Sequence, residues 1–201
     1  MENKENKENK ENKENKENKE NNFKLDNIQN FWNISGGGGG VNIFFKLCNY
    51  GPVILFVISL YLLYFNNTKN YLFYYCIGFF VNSILNLGLK GLFKQSRPCY
   101  DGTKVKLAMK YYKEYYYQNG IPFNIYGMPS GHAQSSAYSL IFIYYVFKNP
   151  NLALIFGLIT LFICIQRIKL CFHSIIQIIV GLFIGSLIGY GFYYLGKRAL
   201  I

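Results

Sequence analysis

The residues that could do chemistry begin with the only two histidines in the chain, His132 and His173. His132 closes the tetrapeptide Pro129-Ser130-Gly131-His132, where a polar stretch gives way to an apolar one. Proline suits a first helical turn, because its missing N–H is not needed there. Ser130 and Gly131 leave backbone N–H groups uncovered, and glycine lets a ligand come close. A helix start with bare N–H groups and a positive dipole end is a site for phosphate. The imidazole of His132 can move a proton near neutral pH. On the tetrapeptide alone an ordinary helix cap, a serine followed by a solvent-facing histidine, is an equal reading.

The elements that must position these residues are apolar. Half of the 201 residues are hydrophobic, and Tyr and Phe are both abundant. Four clear apolar segments and a shorter one follow the N-terminal region: about Val41 to Phe65, Tyr71 to Leu89, the tetrapeptide to Phe147, Asn151 to Ile168, and Ser174 to Leu195. Segments of roughly 17–25 residues suit helical spans. Inside a bilayer a helix satisfies its own backbone groups, so the expected fold is an all-α, polytopic membrane helix bundle with about five spans.

Charge points the same way. The formal net charge is +11. Six consecutive Glu-Asn-Lys repeats in residues 2–19 cancel, and with Glu20 the stretch 2–20 carries −1, which leaves a strongly cationic remainder whose acids are Asp26, Asp101 and Glu114. That balance implies an anionic partner or a membrane surface. It argues against a carboxylate-bound metal centre, which needs several Asp or Glu ligands. The five cysteines show no disulfide or zinc spacing.

With five spans, three polar clusters fall on one side of the bilayer. Lys90 closes the second span, with Arg97-Pro98 just beyond; Ser130 to His132 open the third; Gln166, Arg167 and His173 lie between the fourth and fifth. A single Lys or Arg at a span end is usually a snorkelling anchor. Three cations and both histidines on one face read as a functional site. Lys90, Arg97 and Arg167 can neutralise a phosphate and the charge that develops on it. One histidine can attack phosphorus while the other protonates the departing oxygen. The N–H groups of Ser130 and Gly131, with the Ser130 hydroxyl, complete the anion cradle. No metal or other cofactor is required.

Lys90 and Arg97-Pro98 fit the spacing K-x6-R-P, Pro129 to His132 read P-S-G-H, and Arg167 with His173 fit R-x5-H. In this order the three blocks resemble the type 2 phosphatidic acid phosphatase superfamily, the lipid phosphate phosphatases, over about Tyr71 to Leu195. The resemblance implies that His173 is the nucleophile, forming a phospho-histidine, and that His132 is the leaving-group acid. It implies that Lys90, Arg97, Ser130, Gly131 and Arg167 bind phosphate. Two positions depart from the family's pattern. Gln166 stands where a serine is usual, and Gln177 where an aspartate usually follows the nucleophile by four residues. On a helix His173 and Gln177 share a face. Gln177 can still orient the ring by a hydrogen bond, but it supplies no negative charge. The expectation is a slower enzyme, or one that recruits Asp101 or Glu114, and a Gln177→Asp variant that turns over faster.

The expected function is an integral, multi-pass membrane phosphatase, metal-independent, acting on a phospholipid or prenyl diphosphate. No nucleic-acid partner is expected. A lipid phosphotransferase and a catalytically silent phospholipid-binding relative are the alternatives. The positive-inside rule puts the site on the cytoplasmic face; the family resemblance implies the lumenal or external one. The domain reading has residues 1–22 as a disordered repeat tail and 23–40 as an interfacial segment with a Gly linker. Residues 41–201 form the membrane-embedded, phosphatase-like domain. Lys104 to Gln118, with five tyrosines in residues 111–117, reads as an interfacial helix ended by Gly120 and Pro122.

Overall fold

The computed structural model describes residues 39–66, 68–98, 117–118 and 121–199. The chain divides into the units Met1–Ile43 and Phe44–Ile201. Of the first, only the backbone of 39–43 is described. Five helices are described: α1 (Gly39–Phe65), α2 (Lys69–Phe93), α3 (Gly131–Phe147), α4 (Pro150–Lys169) and α5 (Ile175–Arg198). A small hairpin pairs β1 (Tyr117–Gln118) with β2 (Ile121–Pro122), antiparallel.

Four segments are long and apolar enough to cross a membrane: Leu47–Phe65, Asn70–Phe93, Pro150–Lys169 and Ile175–Arg198. The helix α3 has 17 residues, at the lower limit of about 17 for a span. Many large apolar side chains on these helices are exposed, among them Phe80, Leu92 and Phe183. That pattern suits a surface solvated by hydrocarbon rather than water. The protein is an all-α, integral multi-pass membrane protein.

The helix ends follow local chemistry. Asn149 caps α4 by accepting from the N–H groups of Asn151 and Leu152, and Pro150 fills the first turn. Ser174 caps α5 in a reciprocal capping box with Gln177. Lys94 and Lys148, both in the left-handed region at φ 45° and 49°, end α2 and α3.

Helix α3 is the centre of the bundle and packs most extensively on α5. Glycines make that approach possible. A Cβ at Gly181 would lie 2.6 Å from the Ser130 carbonyl oxygen, and one at Gly189 would lie 2.7 Å from that of Tyr138. At Gly185 it would overlap the Gln134 carbonyl. The three glycines recur every four residues, so they share one face of α5 and bring two backbones together. Away from the site, Tyr75, Tyr138 and Phe142 form a buried aromatic core with Leu55 and Leu63 of α1. The Tyr138 hydroxyl donates to the Tyr75 carbonyl at 2.8 Å, and the Tyr75 and Ser139 hydroxyls are 2.8 Å apart.

Three boundaries differ from the sequence reading. Helix α1 begins at Gly39, inside the expected Gly linker. Helix α2 runs on to Phe93, because nothing in Lys90-Gly91-Leu92-Phe93 breaks it, so Lys90 lies within the helix instead of closing it. Tyr117 and Gln118, expected to end an interfacial helix, form a strand instead. Pro122 disfavours helical geometry there, and Tyr favours extended backbone. The rest of that interfacial stretch, the repeat tail, residues 23–34, Asp101 and Glu114 lie outside the described residues.

Candidate active site

The candidate phosphate cradle starts at the head of α3. Ser130 is its N-cap position, yet its hydroxyl caps nothing. That Oγ is buried and has no hydrogen-bond partner among the described residues. A buried hydroxyl without a partner carries a desolvation cost, and an incoming acceptor removes it. The plain-cap reading of the tetrapeptide is therefore not what the structure contains.

One expectation is corrected here. The Ser130 backbone N–H is not available to a ligand, because it donates to the Gln177 carbonyl at 3.0 Å. This follows from the close approach of α5 that the glycines permit. Ser130 contributes its hydroxyl, and the backbone donors of the cradle begin at Gly131, the first residue of α3. Asn86 of α2 supports the tetrapeptide from below. Its Nδ2 donates to the Pro129 carbonyl at 3.3 Å and to Gln134 Oε1 at 2.8 Å. Gln134 Nε2 in turn donates to Asn82 Oδ1 at 2.9 Å. This buried amide chain ties α2 to α3 below the cradle.

Lys90 on α2 and Arg167 on α4 are 4% and 5% exposed. Their described hydrogen-bond acceptors are neutral amide oxygens, and the Arg167 guanidinium also lies over the Phe172 ring, 5.1 Å from its centroid. Lys90 Nζ donates to Asn124 Oδ1 at 2.7 Å. Arg167 donates to Asn49 Oδ1 of α1, and its Nε has no hydrogen-bond partner among the described residues. Arg97, in the segment after α2, donates to the Asn124 carbonyl at 2.8 Å. Gln166 is buried beside Arg167 on α4. Buried cations held by uncharged acceptors are costly in a low-dielectric site, and an anion relieves that cost.

His173 lies in the connection between α4 and α5 and is buried. Its Nδ1 faces two acceptors, the Gly127 carbonyl at 2.8 Å and Gln177 Oε1 at 3.3 Å. A carbonyl can only accept, so Nδ1 carries the proton and Nε2 keeps its lone pair. The Gln177 amide has its orientation fixed by its neighbours. Its Nε2 donates to Gln95 Oε1 at 3.1 Å and to the Ser96 carbonyl at 2.9 Å, while Oε1 accepts from the Ser174 N–H at 3.2 Å. Burial, then the charges of Arg97, Lys90 and Arg167, push the His173 pKa down to about 3, although the Gly127 carbonyl opposes them. The ring is thus neutral, as a nucleophile must be. The same three cations act electrostatically on His132. Lys90, Arg97 and Arg167 thus bear on both imidazoles.

His132 is half-buried on α3. Its Nε2 meets the Asn49 carbonyl at 3.1 Å, so Nε2 carries a proton. His132 and Lys90 line a cleft of about 370 Å3 between α1, α2 and α3. Asn49, Asn86 and Asn124 give it polar walls, and Pro52, Val53 and Leu87 an apolar one. Such a cleft can take a head group with the first part of its chain.

Sequence reading missed Asn49, Asn124 and the Gly127 carbonyl. Asparagine is common here and a carbonyl has no signature, so only the fold singles them out. The glycine repeat on α5 was a readable signal for the tight α3–α5 contact that consumes the Ser130 N–H.

The chain is 31% identical over 148 residues to a dolichyldiphosphatase of Saccharomyces cerevisiae, covering 67% of this chain and 56% of that protein. The matched region thus spans little more than half the length of that relative. No solved structure matches significantly. The PAP2 superfamily profile matches residues 67–200, a stretch that includes all three sequence blocks. The chain belongs to the PAP2 superfamily.

Proposed function

We propose that this chain is a membrane phosphatase for lipid phosphates or prenyl diphosphates, working through a phospho-histidine at His173. The observation that carries the reading is the His173 ring. Its Nδ1–H is held by the Gly127 carbonyl at 2.8 Å, and it is kept neutral among cations suited to a phosphate. Family membership and the name of the yeast relative support the substrate class.

The chemistry balances with the residues present. His173 Nε2 attacks phosphorus while Nδ1–H stays on the Gly127 carbonyl. The P–N bond forms as the P–O bond to the lipid breaks, and the departing oxygen takes a proton from His132. Water then attacks phosphorus, giving a proton to the now neutral His132. The P–N bond breaks and inorganic phosphate leaves. Lys90, Arg97, Arg167, the Ser130 hydroxyl and the Gly131 N–H neutralise the charge on the equatorial oxygens. Gln177 is a positioning residue for His173, secondary to the Gly127 carbonyl.

Phosphate release by purified protein in detergent tests this. The substrates are phosphatidic acid, lysophosphatidic acid and farnesyl diphosphate. Release is expected from at least one, retained after EDTA treatment and abolished in His173→Ala. Equal release by wild type and His173→Ala would overturn the reading.

A further inference from the structure

The residue Asn49 touches both halves of the site, yet it precedes the residues 67–200 that match the family. Its backbone carbonyl accepts from His132 Nε2 at 3.1 Å, and its side-chain Oδ1 accepts from Arg167. One residue of α1 thereby links α3 to α4. A carbonyl oxygen has two lone pairs, so a helical carbonyl can accept from a side chain as well as from the ladder. Pro52 lies inside α1 and has no N–H, so the ladder opens at the carbonyl of Cys48, four residues back. Asn49 is the next residue. Around proline in a spanning helix, backbone groups find partners on neighbouring helices.

We propose that Asn49 is a positioning residue for the reaction, holding the leaving-group acid His132 by its carbonyl and the phosphate-binding Arg167 by its side chain. The inference rests on the phosphatase reading above. With Nε2–H donated to Asn49, His132 exchanges protons with the departing oxygen through Nδ1. The carbonyl fixes the ring plane and the tautomer, as outer partners do for metal-bound histidines. The side-chain link to Arg167 keeps α1 seated, so that the carbonyl stays in place. Misplacing a catalytic group by about 1 Å can cost on the order of 100-fold.

Leaving-group chemistry separates this role from general structural support. Phosphatidic acid releases an alkyl oxygen that needs a proton; 4-nitrophenyl phosphate releases a phenolate that does not. Both are assayed in one detergent as kcat/KM. Asn49→Ala is expected to lose at least tenfold more on phosphatidic acid than on 4-nitrophenyl phosphate, the same imbalance that His132→Ala shows. Asn49→Ala keeps the backbone carbonyl but loses the tether that seats it; Asn49→Asp keeps both. It is expected to keep the wild-type ratio of the two kcat/KM values while raising both KM values severalfold, because its carboxylate competes with phosphate for Arg167. Equal losses of Asn49→Ala on the two substrates would overturn the proposal. If Asn49→Ala does not fold, Asn49→Asp decides, and an unchanged KM counts against the role. A wild type inactive on both substrates would instead sink the phosphatase reading, and this inference with it.

Discussion

The Gln177 amide nitrogen donates to Gln95 Oε1 at 3.1 Å, and also to the Ser96 carbonyl at 2.9 Å. Gln177 is thus a brace between α5 and the segment carrying Arg97, as well as a neighbour of His173. This changes the outcome expected for Gln177→Asp. A carboxylate has no N–H to give and would set negative charge against two acceptor oxygens. Gln95 and Ser96 are exposed, so water can replace these bonds, and the net loss is about 0.5–1.5 kcal/mol each. Gln177→Asp is expected to melt at a lower temperature and to turn over more slowly. Thermal unfolding and phosphate release in detergent check both.

Ser130 offers a sharper contrast. Were it an ordinary N-cap, Ser130→Ala would cost about 0.5–2 kcal/mol of stability. Its hydroxyl makes no hydrogen bond among the described residues. Ser130→Ala is therefore expected to leave the melting temperature unchanged or slightly raised. Its kcat/KM is expected to fall about tenfold or more, as when a donor to transition-state charge is removed.

The burial of His173 predicts a pH dependence. Its pKa is lowered to about 3 in the folded protein, against about 6.5 in an unfolded chain. Between those values the unfolded state binds the proton and the native state does not. Stability from this group is complete above pH 6.5 and falls as pH drops toward 3. Melting temperatures of wild type and His173→Gln between pH 4.5 and 8 check this. The wild type is expected to lose more on acidification than the variant.

The helix contact can be tested at two glycines of α5. A Cβ at Gly185 meets the Gln134 carbonyl, whereas one at Gly191 meets nothing within 4 Å. Gly185→Ala must push α5 off α3, and with it the Gln177 carbonyl off the Ser130 N–H. It is expected to lower the melting temperature by several degrees and phosphate release at least tenfold. Gly191→Ala is expected to be neutral, or more stable by up to about 1 kcal/mol through helix propensity.

Much of the site was legible because ionisable groups are conspicuous in an apolar chain. His132, His173, Lys90, Arg97 and Arg167 could be gathered on one face by counting spans. The spans themselves followed from apolar length. What was not legible depends on how closely helices approach and where they end. Lys90 was placed at a helix end because the apolar run stops there, although the backbone continues for another turn. Ser130 was given a free N–H because nothing in its own neighbourhood reveals the carbonyl arriving from α5. The amide partners Asn49 and Asn124 are uncharged, and only proximity gives them meaning.

The glycine-lined contact of α3 with α5 has a wider consequence. The proposed cradle and the proposed nucleophile hang from the two ends of one short bond, Ser130 N–H to the Gln177 carbonyl, one helical turn from His173. Phosphorus chemistry is thereby anchored to a two-helix chassis. Val53 on α1 and Leu87 on α2, in the apolar wall of the cleft, stand outside that chassis, so they are free to drift in sequence. New tail lengths and head-group shapes could be accommodated there while the reacting atoms keep their spacing.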